Sequence, residues 1–153
     1  MRRELWREWE DDVEYYTDGD RVRASGATDY AKGDVKTARF LIDAKETRGD
    51  GFSVKDDFWS KLSTWARNEG REPAIAIRIY GESSVYEIAV VNEMSYAERH
   101  AGYEPDDQLK KQHQKRVTRK MAGKKPTQFI VGKYRLVAYS FDEFCKDVRD
   151  ESE

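Results

Sequence analysis

The 153-residue chain carries 38% apolar and 38% charged residues at a net charge of −2, which describes one domain with a highly charged surface, too short for two ordinary cores. No stretch approaches the roughly 20 apolar residues of a membrane span, and the opening MRRELWREWE lacks the apolar centre of a secretory leader, so a cytoplasmic setting is expected. Cys145 stands alone, which excludes an intrachain disulfide and a complete cysteine-based zinc site.

Residues about 3 to 16 read as an amphipathic helix, with Leu5, Trp9, Val13 and Tyr16 at helical spacing, Trp6 widening the stripe and acids filling the gaps. Asp18-Gly19-Asp20 ends it. Arg21 to Arg23 is a short extended segment leading into Ser25-Gly26-Ala27, small residues that let backbone approach a ligand closely. Gly33 permits a turn before Asp34. Val35 to Thr37 and Phe40 to Lys45 are then expected as two antiparallel strands joined tightly around Ala38-Arg39.

Thr47 to Gly51 reads as loop, and Ser53 as the cap of a helix ending near Asn68 with Phe58, Trp59, Leu62, Trp65 and Ala66 as its buried stripe. Glu69 to Pro73 is a stop signal. Ala74 to Tyr80, nearly continuously apolar, reads as a central strand buried on both faces, and Val85 to Val91 as its partner across Gly81 to Ser84. A short helix is expected from Glu93 to His100 and loop from Gly102 to Asp107. Leu109 to Met121 is a basic stretch that reads as helical despite its poor apolar face, and Gly123 to Pro126 breaks it. Phe129 to Val131 and Tyr134 to Tyr139 form a hairpin through Gly132-Lys133, and Phe141 to Val148 a closing helix. The fold class expected is α/β, a mixed sheet flanked by helices.

Within the run Phe40 to Lys45, a strand's period of two sends Leu41, Asp43 and Lys45 to one face. A carboxylate and an ammonium on an otherwise apolar strand are costly to desolvate unless each is partnered. The expected hairpin returns Asp34 towards Asp43, so both carboxylates can bind one Mg²⁺, with Mn²⁺ as a substitute, while Lys45 emerges beside them. Hard oxygen donors suit the ion, and a compact cation suits a scissile phosphate.

Asp34, Asp43 and Lys45 also match the signature of the PD-(D/E)XK nucleases. The surrounding text, Ser25-Gly26-Ala27, Lys32-Gly33-Asp34-Val35, Leu41-Ile42-Asp43-Ala44-Lys45 and Thr47, resembles the Holliday junction resolvases of archaea and their phage-encoded relatives over roughly residues 8 to 91. The run from Ser53 through Lys61 to Gly70-Arg71-Glu72-Pro73 is similar to the phage group as well. The resemblance implies a restriction-endonuclease-like fold spanning 1–153, with a core over about 3–91 and a basic extension over about 100–150. It implies a homodimer that cuts branched or duplex DNA. It further implies a third metal-binding acid on the first helix, where Glu10 fits the Glu-x-x-Val pattern in Trp9-Glu10-x-x-Val13. Glu4, Glu8, Asp12 and Glu14 are rivals that helical periodicity does not separate. One departure is that most relatives have Glu where this chain has the shorter Asp43.

Ser25 reads either as a turn-former or as a phosphate contact, and Lys32 and Lys61 either as solvated lysines or as DNA contacts. His100 and His113 lack companions at metal-ligand spacing. From Gln108 to Phe141 the chain has no acid, while Lys110, Lys111, Lys115, Arg116, Arg119, Lys120, Lys124, Lys125, Lys133 and Arg135 fall there. That asymmetry marks a basic face on a weakly acidic protein, with Lys115, Arg116, Arg119 and Lys120 as candidate contacts of a phosphate-tracking arm. Two alternatives remain: a less selective phage DNA nuclease that nicks, debranches or degrades host DNA, and a non-cutting DNA-binding module on the same fold.

Overall fold

The apolar segments sort into strands whose faces differ and helices whose stripes cover them. The computed structural model describes residues 8–22, 34–123 and 125–150. Helix α1 covers Trp9–Thr17, followed by strands β1 (Asp20–Arg21), β2 (Asp34–Lys36), β3 (Phe40–Arg48) and β4 (Gly51–Lys55). Helix α2 (Asp56–Asn68) leads to β5 (Glu72–Tyr80), β6 (Val85–Asn92) and helix α3 (Glu93–Arg99). Strands β7 (Lys111–Gln112) and β8 (Gln114–Thr118), a 3₁₀ turn over Arg119–Ala122, strands β9 (Thr127–Val131) and β10 (Tyr134–Ser140), and helix α4 (Phe141–Asp150) complete the order. No helix among the described residues is long and apolar enough to cross a membrane.

An eight-stranded sheet in the order β1-β2-β3-β5-β6-β10-β9-β7 forms the centre. It is mixed: β3 and β5 run parallel, joined by the crossover through α2, as do β7 and β9. The expected α/β class, a mixed sheet flanked by helices, is what the chain adopts. Strands β7, β9 and β10 continue that sheet rather than standing apart, because β10 pairs with β6 from Leu136↔Asn92 to Ser140↔Ile88.

Period two divides the core into two layers. Val35, Phe40, Ile42, Ala74 and Ala76 face α1 and α4, where Trp9 meets Phe141 with ring centroids 4.9 Å apart. Leu41, Ile75, Ile77 and Ile79 face α2, whose Trp59, Leu62 and Ala66 are buried against them, with Phe58 and Trp65 half-buried at the margin. Each fully buried side chain of this size contributes about 1.5–3 kcal/mol of apolar transfer free energy.

The expected strands around Ala38-Arg39, the central strand from Ala74, its partner from Val85, the hairpin at Gly132 and the closing helix are all present. Three expectations are corrected. Thr47 to Gly51 is not loop: β3 runs to Arg48, turns at Gly49 (φ +107°) and enters β4, a conformation only glycine adopts without strain. Ser53 therefore sits in a strand and caps nothing, and α2 begins at Asp56 with no side-chain cap. Leu109 to Met121 is not helical. Its one alternation with a buried position, at Val117, lets β8 pair antiparallel with β4 from Gly51↔Thr118 to Lys55↔Gln114 as a separate two-stranded ribbon. Val54 and Val117 anchor that ribbon on the α2 side of the sheet. The opening helix is described from Trp9 onwards and reaches Thr17, one residue past Tyr16; Leu5 and Trp6 lie outside the described residues.

Gly132 supplies a test of the hairpin. It holds φ +60°, and an added Cβ would stand 2.9 Å from Asp56 Cβ. Gly132→Ala should cost about 1–3 kcal/mol, read as a fall in Tm of several degrees, and an unchanged Tm would show that this turn is not held as described.

Candidate metal centre and basic ribbon

The tight turn at Ala38-Arg39 fixes the register of β2 on β3, and that register places Asp34 directly opposite Asp43, with Lys36 opposite Leu41. Residues opposed across an antiparallel pair share a face, so Asp34, Asp43 and Lys45 project together on the α2 side. Asp34 is 1% and Asp43 8% exposed. The Lys45 ammonium lies 3.4 Å from Asp43 Oδ1 and 5.1 Å from the centre of the Phe58 ring on α2. The sequence-expected trio is thus brought together, and Phe58 joins it as a neighbour that the sequence did not reveal.

Neither oxygen of Asp34 has a hydrogen-bond donor among the described residues, although both are buried. Burial first, and then the charge of Asp43, push the Asp34 carboxyl up from 3.8 to about 8. Burial also raises Asp43, against which the Lys45 charge pulls it down, and Glu10 adds to the rise. Two facing buried carboxyls cannot both ionise cheaply, so without a cation the pair holds a proton between them. The hard oxygen donors of such a pair fit the donor chemistry of Mg²⁺ or Mn²⁺. Glu69, the C-cap of α2, ion-pairs with Lys36 on the same face and adds negative charge near Asp34; no sequence signal singled it out.

The acids on α1 separate by what they touch. Glu8 is exposed. Asp11 is ion-paired with Arg21, and Glu14 accepts the Arg21 backbone N–H at 2.8 Å. Asp12 is fully buried on Arg78. Glu10, half-buried, is the acid on α1 whose charge reaches Asp43. Among the described residues no three His, Cys, Asp or Glu side chains form a ready-made metal cluster, so Glu10 stands beside the aspartate pair rather than within it. Glu4, Ser25 and Lys32 lie outside the described residues.

The basic candidates fall into two kinds. Arg116 is held by Asp50 and lies 3.4 Å from Ser53 Oγ, and its hydrogen bond, then its charge, keep the exposed Asp50 carboxyl below its usual range. Arg119 donates to the Gly49 carbonyl at 3.3 Å and lies over the Tyr86 ring. Both arginines fasten the ribbon to the turn between β3 and β4. Lys61 on α2 and Lys120 are exposed, as are Lys55 and Lys111, and Lys115 is half-exposed at the ribbon's rim. His100 is not a surface residue in role: its Nε2 lies 2.7 Å from Asp147 and its ring stacks on Tyr96 at 3.9 Å.

No family model, no curated protein and no solved structure matches this chain.

Proposed function

We propose that this chain is a metal-dependent endodeoxyribonuclease of the PD-(D/E)XK kind on a restriction-endonuclease-like fold, acting on branched DNA as a homodimeric, cytoplasmic Holliday junction resolvase. The observation that carries the proposal is the directly opposed, buried Asp34–Asp43 pair whose Asp34 oxygens lack donors, with the Lys45 ammonium beside it. Such a pair is expensive as bare structure and useful as a ligand set.

In this reading Asp34 and Asp43, with Glu10 alongside, hold Mg²⁺ or Mn²⁺. The ion, when bound, supplies Lewis-acid polarisation of the scissile phosphate. Lys45 contributes a point charge where negative charge develops on the phosphate and orients the attacking water. The reaction adds water across a P–O bond, leaving one strand end as a phosphate and the other as a hydroxyl. Phe58 packs against Lys45 and narrows the orientations open to its head group.

Incubating the wild type and Asp34→Ala with labelled four-way junction, duplex and single-stranded DNA in Mg²⁺ or Mn²⁺ tests the proposal. Paired symmetric nicks on the junction that vanish in the variant are expected. Absence of metal-dependent cleavage, or equal cleavage by the variant, would sink it.

The basic segment from Lys111 to Lys120 supports a phosphate-binding role through its lysines. Arg116 and Arg119 are engaged in fastening it, whereas Lys111, Lys115 and Lys120 present their charges outwards. In a non-cleaving Asp34→Asn background, the triple change Lys111→Gln, Lys115→Gln, Lys120→Gln should reduce the slope of log K against log salt by roughly 2–3, near 0.9 per lost phosphate contact. Arg116→Gln should lower Tm and leave the slope almost unaltered. An unchanged slope in the triple variant would show that these lysines do not touch phosphates.

A further inference from the structure

Two fully buried anchors bracket Glu10 on α1. On one side, Trp9 donates its indole N–H to the Ala76 carbonyl at 2.9 Å, and its ring lies 4.5 Å from the Arg78 guanidinium. On the other, Asp12 forms an ion pair with Arg78. Arg78 is 1% exposed and also donates from Nε to Glu87 Oε2 at 2.9 Å. Ala76 and Arg78 lie on β5, whose neighbour β3 carries Asp43 in the register Asp43↔Ile75 and Ala44↔Ala76.

A buried arginine between two acids is a poor source of stability, since well-packed apolar side chains do as well or better. What it does provide is register. A helix turns about 100° per residue, so rotating α1 by one position would draw Asp12 off Arg78, remove the Trp9 N–H from Ala76 and swing Glu10 through the same angle. An apolar contact would tolerate such slippage, whereas a guanidinium fork spanning two acids does not.

We infer that Arg78 is a positioning residue: by clamping Asp12 beside the anchored Trp9, it fixes the rotation of α1 so that Glu10 is held alongside the Asp34–Asp43 pair of a divalent-cation site. The inference rests on the metal-site reading above. The influence of the Glu10 charge at Asp43 agrees with that placement. Arg78 itself touches neither cation nor DNA; it acts through Glu10.

The test is a coupling cycle read by Mn²⁺ binding, followed through the electron paramagnetic resonance of free Mn²⁺ at pH 8, with Tm recorded for each variant. Asp12→Leu/Arg78→Met/Glu87→Gln removes the clamp without leaving a buried charge, since Glu87 is the second acid on Arg78. It should keep Tm near the wild-type value and weaken Mn²⁺ binding about tenfold, the scale of lost outer-shell support. In a Glu10→Gln background the same triple change should cost no further affinity, because the residue it positions is already gone. Asp12→Asn, which keeps an acceptor for Arg78 and with it the fold, should run the same cycle with a smaller loss of affinity. Wild-type affinity in the clamp variants, or an equal loss in the Glu10→Gln background, overturns the positioning role alone. No Mn²⁺ binding by the wild-type chain overturns the metal reading as well.

Discussion

Asp34→Asn is expected to stabilise the metal-free protein at pH 8 while abolishing cleavage. The Asp34 carboxyl titrates at about 8 in the fold against an ordinary 3.8. A raised folded value means that the stability linked to the protonated form is full below about pH 4 and is lost as pH climbs through 8. The metal-free wild type should therefore lose stability across that window, with the cost shared between Asp34 and its coupled neighbour Asp43. An asparagine cannot ionise, and its amide donates to the remaining carboxylate, so the variant should gain about 2 kcal/mol at pH 8. For a chain of this size that is roughly 4–8 °C in Tm. Metal should reverse the order. At a hundred times its Kd, Mg²⁺ adds about 2.7 kcal/mol to a chain that binds it, and the asparagine variant should show no such gain. Cleavage should fall by about 10³-fold or more, the several kcal/mol of charge stabilisation that a metal site supplies. An asparagine variant less stable than wild type at pH 8 without metal would mean that Asp34 has an ordinary structural partner, and the site reading would fail with it.

The parts of this site that are legible in the sequence are the local ones. Asp43 and Lys45 share a face because strand periodicity is a property of six consecutive residues, and Asp34 meets Asp43 because a tight turn leaves one register open. The same locality explains the fold elements read correctly, from the all-apolar central strand to the stripe of α2. Features set by distant pairing were illegible. Ser53 carries the local signature of a helix cap, yet β8, more than sixty positions along the chain, supplies it with the strand partner Arg116 and tertiary pairing overrides the cap. The basic run from Leu109 to Met121 has little helical apolar face, and what makes part of it a strand is pairing with β4, which buries Val117 in one cluster with Val54.

The acids of α1 show the limit most plainly. On a helical wheel Asp12 and Glu10 are interchangeable candidates, flanking the stripe on opposite sides. Arg78 decides between them, because it claims Asp12 and buries it. Nothing in the local pattern of β5 distinguishes Arg78 as inward-facing, since a strand buried on both faces has no polar side to mark it. A buried cation in a central strand is thus a long-range signal, readable only once the helix lies on the sheet.

Lys45→Met should be the second large effect, and it separates two roles that the lysine combines. Methionine matches the length of the stem and keeps the contact with Phe58 through sulfur–aromatic packing. It removes the charge 3.4 Å from Asp43 Oδ1. That charge is what draws the Asp43 carboxyl down against burial, so without it Asp43 should ionise at higher pH. The midpoint for Mn²⁺ binding should move upwards in pH, because both carboxyls must lose their protons before the cation binds. Cleavage should fall by about 10²–10³-fold even at a pH and metal concentration that saturate the site, as when a preorganised donor to developing charge is deleted. Lys45→Arg is the discriminating companion. It restores the positive charge, and with it the wild-type pH midpoint for Mn²⁺, but its broad planar head cannot occupy the place of a compact ammonium between Asp43 and Phe58. Cleavage by the arginine variant should therefore stay at least tenfold below wild type while metal binding recovers. Recovery of both together would assign Lys45 to electrostatic support of Asp43 alone. Recovery of neither would mean that the shape of the lysine head, and not its charge, holds the pair in place.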